Sequence, residues 1–392
     1  MSTARVIHPR SVLGPDLPAV PYAHPLRAEF RAWLSSNGPE GDYPLEQDDR
    51  FAYRRAWQRS LAAGGWAGIG WPVEYGGRGA GSLDKFMYYE ELALAGCPEP
   101  ANTPGILLLG PTLMEIGTPQ LRERFLPKIL AGDEMWAQCF SEPDSGSDLA
   151  SMRTKARLEG DEWLIDGSKT WSTFAQYADF VFVLSRTEPG SEKHRGLTLL
   201  IVPVDQPGVT VRPIEQISGD AEFCEVFLDN ARAPKDWVVG EIGEGWKAAM
   251  TLFQFERADQ GFTDHARLLV ELHEVRELPA DLDDAERDEL RRRWALLWTR
   301  CQELRMLNLR MAALEDDGVT VGPLGSLSNL VWGELYKEIY DFVAETVGGT
   351  AAVARDTVAS HDRVHSRAAS IYSGTSEIQR NIVAERLVGL PR

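Results

Sequence analysis

A length of 392 residues accommodates two to three domains of about 150 residues each. With 43% hydrophobic and 26% charged residues, the composition is that of an ordinary globular protein, which excludes a disordered or collagen-like chain. The 59 acidic residues outnumber the 41 basic ones, for a net charge of −18, and this argues against a nucleic-acid partner, which selects a basic face. An anionic small ligand stays compatible, because it needs only a few local cations and helix N-termini. Cys97, Cys139, Cys224 and Cys301 show no Cys-x-x-Cys spacing and read as reduced thiols rather than disulfides or a metal site. The first 26 residues lack the apolar core of a signal peptide. No segment approaches the roughly 18 apolar residues of a membrane span. A cytoplasmic protein without membrane contact is therefore expected.

In chain order, the apolar residues from 26 to 131 recur at helical spacing, clearest over 51–63 and 83–94. Thr118 and Pro119 have the signature of an N-cap and first helical residue, and Gly132 that of a stop. Residues 134–239 change to short runs rich in β-branched and aromatic residues, which predict strands at 136–141, 155–158, 162–165, 180–185, 196–202, 209–213 and 225–228. Gly160-Asp161 reads as a hairpin turn. Helical periodicity returns over 246–275, 284–315, 326–347 and 366–387, long spans with short connections that suggest a bundle. Three domains follow: helical over 1–133, β over 134–239, and helical over 240–392.

Several common chemistries fail on inspection. The Gly76–Gly81 stretch does not follow a strand in a βαβ unit, so it is no dinucleotide loop, and the run 240–247 has Trp246 where a P-loop needs Lys. His361 and His365 could share a helical face, but no third ligand is evident, and the segment reads as solvated surface. Three other segments carry more. Residues 139–149 leave a strand in a loop dense in hydroxyls, including Ser141 and Ser147. Residues 167–173 set Trp171, an aromatic suited to wall a flat ring, beside Thr173. Residues 371–382 place Ser376 and Gln379 at capping-box spacing after a Gly374 turn. Taken alone, each also fits an ordinary strand exit, a core tryptophan or a capped helix.

Together, in this order, these segments and Gly70-Trp71-Pro72-x-x-Tyr75-Gly76-Gly77 resemble the acyl-CoA dehydrogenase family along essentially the whole chain. The resemblance implies a multi-domain α+β fold: an N-terminal helical domain, a middle β-sandwich or barrel, and a C-terminal four-helix bundle, with FAD between the last two. It places Phe140, Ser141, Ser147, Trp171, Thr173, Thr375 and Glu377 around the flavin. Donors near the pyrimidine edge would stabilise charge on the reduced ring. Ser147, Phe253, Arg257, Tyr372, Ser373 and Gly374 fall at substrate positions.

Many members carry their base immediately after the Tyr of the C-terminal segment. Here that position is Ser373, which has no base capacity at neutral pH. The Glu256-Arg257 pair is similar to that of isovaleryl-type and long-chain members, and Glu256 is the expected base, flanked by Phe253 and Phe255. The Ser373 N–H would polarise the thioester carbonyl, and an electron-transfer flavoprotein would reoxidise the flavin. Two family features are missing. The Arg-x-x-Phe-Gly segment that reaches a neighbour's FAD is absent from 275–281, and Glu345 replaces a Gln before Gly348-Gly349. These departures suggest that the chain is the catalytic half of a heterotetramer with a related subunit, as in some members acting on steroid side chains, with a homotetramer as the alternative. The rival readings are a flavin oxidase or monooxygenase, and a non-catalytic or flavin-sharing subunit.

Overall fold

The computed structural model describes residues 25–44, 46–259, 261–276, 282–347 and 358–391; within these, the side chains of 256–259, 274, 347 and 358–360 lie outside the description. The first helices are α1 (Pro25–Asn37), α2 (Gln47–Ala63), α3 (Ser82–Leu94), α4 (Gly110–Ile116) and α5 (Pro119–Ala131). α5 begins and ends as its sequence dictates. The Leu121 N–H donates to the Thr118 hydroxyl at 3.3 Å, and Gly132 closes the helix at φ +73°, where a side chain would be strained. Phe30, Trp57, Leu61, Trp66 and Phe86 fill the core of this region. The Gly76-Gly77 pair has a packing role: a Cβ on Gly77 would lie 2.1 Å from the Trp71 carbonyl oxygen. The Trp71 indole in turn donates to the Ile106 carbonyl at 3.0 Å.

The middle region is one eight-stranded sheet ordered β6-β7-β3-β2-β4-β5-β8, with β1 paired to β4. The strands are β1 (Trp136–Cys139), β2 (Lys155–Glu159), β3 (Glu162–Thr173), β4 (Phe180–Arg186), β5 (Leu197–Pro203), β6 (Val209–Ile214), β7 (Phe223–Pro234) and β8 (Val238–Val239). β4 and β5 are continuous apolar runs because both their faces are covered. Val181, Val183, Leu200 and Val202 pack with Trp163, Ile165, Cys224 and Val226 inside the curled sheet. Phe180, Phe182, Leu197 and Leu199 face the other way, onto Leu113, Phe125, Ala248 and Leu252 of the helical regions.

β3 and β7 run well past the predicted 162–165 and 225–228. Their later halves are polar and bulged, with register shifts at Ile165/Gly167 and Lys169/Ser172, so apolar alternation cannot reveal them.

The C-terminal region contains α6 (Gly245–Asp259), α7 (Gly261–Glu274), α8 (Asp284–Asp316), α9 (Gly322–Val347), α10 (Val358–His365) and α11 (Ser376–Ile382). A capping box opens α8: the Glu286 N–H donates to Asp283 at 2.8 Å and the Asp283 N–H to Glu286 at 3.1 Å. Leu268, Leu272, Leu304, Leu335 and Phe342 join α7, α8 and α9. The span predicted as a single helix over 366–387 is instead divided. Ser373 and Gly374 take φ of +54° and +93°, a left-handed step that no helix continues through.

Buried charge ties the two helical regions together. Glu90 of α3 accepts from Arg27, from Arg305 of α8 at 2.6 Å, and approaches His265 of α7 at 3.3 Å. Asp316 at the end of α8 accepts from the Ser82 and Leu83 N–H groups at 2.6 and 3.0 Å, a favourable charge for the start of α3.

Candidate active site

Two backbone segments of the β region are laid side by side by a buried ion pair. Lys169, fully buried, donates to the Phe140 carbonyl at 3.1 Å and to Glu142 Oε1 at 2.9 Å. Glu142 also accepts from the Arg153 and Thr154 N–H groups at 2.6 and 2.8 Å. Burial works to raise the Glu142 carboxyl, but the ammonium and these N–H donors hold it below the usual range. Burial lowers Lys169, against the pull of Glu142. The Thr170 N–H then donates to the Ser141 carbonyl at 2.9 Å, so the loop leaving β1 lies against the bulged end of β3.

Trp171 sits on that bulge at φ +60°. A bulky side chain there costs on the order of 1–3 kcal/mol. The indole is 59% exposed and meets Phe223 edge-on at 6.1 Å. Around it the structure places Ser141 and Thr173, both half-buried, while Ser147 is exposed on the next turn. Ser145 fastens that turn by donating to the Asp148 carbonyl at 2.6 Å. An exposed flat aromatic beside half-buried and exposed hydroxyl residues is a set suited to a planar, polar-edged ring.

Phe140 is buried and meets Phe253 of α6 edge-on at 5.8 Å. Glu256 and Arg257 follow on the last turn of the same helix; their side chains lie outside the described residues. Tyr372 is half-buried against Trp332, with ring centroids 5.9 Å apart. Burial, reinforced by Tyr336, Asp264, Glu222 and Glu99, raises its phenol well above the usual range. Glu222 pairs with His365 at 3.1 Å and directly precedes Phe223, the residue whose ring meets Trp171.

The C-terminal segment departs from its expected cap. Thr375, not Ser376, is the N-cap, accepting from the Ile378 N–H at 3.3 Å. Gln379 reaches back to donate to the Ser373 carbonyl at 2.8 Å, and a Cβ on Gly374 would sit 2.8 Å from its amide nitrogen. Glu377 is exposed in the first turn of α11. His361 and His365 also depart from the solvated reading. His361 lies between Asp220 at 2.9 Å and Asp362 at 2.8 Å, and these bonds raise it to about 9. Burial opposes protonation of His365, but Glu222 at 3.1 Å raises it. Both rings therefore tie α10 to the loop before β7, rather than facing water.

The segment 97–109, which with 253–262 is the stretch the sequence offers as a pocket lining, borders a small cleft between the first and third regions, walled by Tyr88, Tyr89, Leu92, Cys97, Ile106 and Leu107 and closed by Glu99 and Arg267. Arg267 Nη1 lies 3.1 Å from Glu99, with the side chains 41% and 38% accessible. Asp264, one turn before Arg267, is raised to about 8 by burial and by Glu99. The contribution of Arg267 from α7 carried no sequence signal beyond helical periodicity.

Profiles for the acyl-CoA dehydrogenase N-terminal, middle and C-terminal domains match residues 23–133, 137–231 and 243–388. Acyl-CoA dehydrogenase IpdE1 of Mycobacterium tuberculosis is 41% identical over 377 residues, covering 93% of this chain and 97% of the relative. The chain belongs to the acyl-CoA dehydrogenase family. Its fold is that of solved acyl-CoA dehydrogenases. The ChsE4-ChsE5 complex from Mycobacterium tuberculosis superposes with a TM-score of 0.81 at 29% identity, covering 95% of this chain and all of that one. The Tcur3481-Tcur3483 steroid acyl-CoA dehydrogenase gives 0.79 at 28% identity over 94% and 96% of the two chains. As a family member, the chain is an oxidoreductase acting on acyl-CoA. Among the described residues, no helix is long and apolar enough to cross a membrane.

Proposed function

We propose that this acyl-CoA dehydrogenase introduces the α,β double bond of its product with Glu256 as the base and FAD as the cofactor. Phe140, Ser141, Ser147, Trp171, Thr173, Thr375 and Glu377 would hold FAD, which when bound would supply hydride-accepting chemistry at the β carbon, with an electron-transfer flavoprotein as the eventual electron acceptor. Glu256 takes the α proton, and the electron pair of that C–H bond becomes the new π bond as the hydride leaves Cβ. A carboxylate in a dry pocket suits this task, because its proton affinity rises with desolvation, and Phe253 and Phe255 are aromatic neighbours of Glu256 in the sequence. The Ser373 N–H, presented by a left-handed turn, donates to the thioester carbonyl, while Arg257 serves the CoA portion and Tyr372 and Gly374 shape the approach.

The observation that carries this reading is the contact of Phe140 with Phe253, because it joins the loop beside Trp171 to the helix that bears Glu256 one turn later. Replacing Glu256 with Gln should slow acyl-CoA bleaching of the flavin by at least about 100-fold, the lower range for general-base catalysis. Bleaching at the parental rate would remove Glu256 from the mechanism. Rapid oxygen consumption during turnover would mark an oxidase instead.

A second reading, a chain that shares its flavin site with a related subunit, is favoured by Glu345. Its carboxylate, paired with Arg293 at the surface, brings a negative charge to the position where a neighbour's diphosphate would lie, which is unfavourable for that contact. A stoichiometric flavin content and full activity of the chain alone would overturn it; recovery of flavin only on mixing with a related chain would support it.

A further inference from the structure

We propose that Gln379 is a positioning residue for the thioester: its side chain holds the left-handed turn at Ser373, and with it the backbone N–H that polarises the acyl carbonyl. The proposal rests on the acyl-CoA reading above and adds a residue that acts through Ser373 rather than on the ligand. Gln379 is the fourth residue of α11 and is 3% exposed. Its Nε2 donates backwards past the start of the helix, to the Ser373 carbonyl at 2.8 Å and to the Gly374 carbonyl at 3.4 Å. Oε1 of the same amide is buried and accepts from nothing among the described residues. Burying an amide with its oxygen unpaired is unfavourable, and the bonds to the two carbonyls are the polar contacts that offset it. The helix itself does not need this reach, because Thr375 already caps it.

The turn does need holding. Ser373 has φ +54° and Gly374 φ +93°. Glycine takes such angles freely, whereas for serine the left-handed conformation costs free energy of the order that one hydrogen bond contributes. Peptide planes are rigid, so the Nε2 bonds fix the chain leaving Ser373. The Tyr372 N–H, donating to the Ala368 carbonyl at 3.1 Å, fixes the chain entering it. Between these two anchors the Ser373 N–H has no acceptor among the described residues, and Ser373 is exposed. It is a donor oriented in advance and left for a ligand. Such a donor stabilises the negative charge that grows on a carbonyl oxygen as the α proton leaves, with no reorganisation during the reaction. Without Nε2, Ser373 is free to return to negative φ, which turns its N–H away from the thioester while the contacts to the rest of the ligand remain.

The test is isotope-edited infrared spectroscopy of the flavin-loaded protein with a 2-enoyl-CoA ester carrying carbon-13 at the thioester carbonyl, the tightest binder of a short- to long-chain series. This ester is already dehydrogenated, so it binds without turnover. In the parent its carbonyl band should lie at lower frequency than in the free ester in water. In Gln379→Met the band should return more than halfway to the free position, while the dissociation constant rises by no more than about 10-fold, the share of one hydrogen bond. Gln379→Glu keeps the side-chain volume and preserves the test if Gln379→Met does not fold. It sets a carboxylate against two carbonyls and should show the same shift at neutral pH. Lowering the pH to about 5, where burial favours the protonated carboxyl, gives that side chain a donor again and should reverse part of the shift. A band equally low in the parent, Gln379→Met and Gln379→Glu overturns the inference and leaves the dehydrogenase reading intact, since Gln379 would then be merely structural. A parent band at the free-ester position overturns the role given to the Ser373 N–H, and this inference with it.

Discussion

Lys169→Met isolates the joint that holds Phe140 and Ser141 against the Trp171 bulge. Met retains much of the apolar stem but loses the ammonium, leaving Glu142 buried with only the Arg153 and Thr154 N–H donors. At the observed 2.9 Å, Coulomb's law with an effective dielectric of about 20 gives roughly 6 kcal/mol of attraction. Part of that attraction offsets desolvation of the two groups, and breaking one side of a buried pair costs about 3–5 kcal/mol. That is a large share of the roughly 5–15 kcal/mol that holds a folded domain together. Urea unfolding followed by tryptophan fluorescence should show this loss. The double variant Glu142→Gln/Lys169→Met should be less destabilised than the sum of the two single changes by at least about 1 kcal/mol. The purified single variant should also carry less flavin per chain than the parent. A Lys169→Met protein within about 1 kcal/mol of the parent, with undiminished flavin, would refute the argument that this pair sets the wall.

Two further predictions use pH. Asp264 is held at about 8, against about 3.9 in an unfolded chain. Between those values the unfolded chain has lost a proton that the native one keeps, so rising pH favours unfolding across roughly pH 4–8. Asp264→Asn cannot ionise, and its melting temperature relative to the parent should rise through this window and level off above pH 8; a difference constant with pH would contradict the placement of Asp264. His361 has the opposite sign. Its value near 9 exceeds the usual 6.5, so its stabilisation is complete below about pH 6.5 and disappears as pH rises through 9. At 1.36 kcal/mol per pKa unit the ceiling is about 3 kcal/mol. The stability gap between the parent and His361→Gln should therefore close between pH 6 and pH 10, and a gap that widens would refute the pairing with Asp220 and Asp362.

What could be read in the sequence followed periodicity and short-range signals. Thr118, Pro119 and Gly132 bounded a helix because caps are local, and β4 and β5 were visible because both faces are apolar. The later parts of β3 and β7 were hidden, since Lys169, Ser172, Asp229 and Asn230 break the alternation while their partners lie elsewhere in the chain. His361 and His365 looked solvated for the same reason: Asp220 and Glu222, which bind them, lie about 140 residues away in sequence. Glu99 and Arg267 carried no motif at all, and only the meeting of α7 with the segment after α3 makes them a pair. The roles given to Glu256 and to the flavin positions came from resemblance, and the structure adds the frame in which those roles can be tested.

That frame has a common construction. The segment beside Trp171 is fixed by Glu142 and Lys169, and α3 and α7 by Glu90 with Arg27, Arg305 and His265. The segment leading to Tyr372 is fixed by His361 and His365 on Asp220 and Glu222. Each joint links residues distant in sequence, and each uses charge where an apolar contact of the same area would give adhesion without a unique register. A buried polar contact made at the wrong register leaves a donor or acceptor unpaired, at a cost of about 1–3 kcal/mol, whereas a slipped apolar contact loses much less. The cleft is lined in part by α3 and α7, so its shape depends on the Glu90 joint that fixes those two helices. The Glu90 joint gives a direct consequence: Glu90→Gln leaves Arg27 and Arg305 without their buried anion, and should cost about 3–5 kcal/mol in urea unfolding while leaving the Lys169–Glu142 joint of the β region intact.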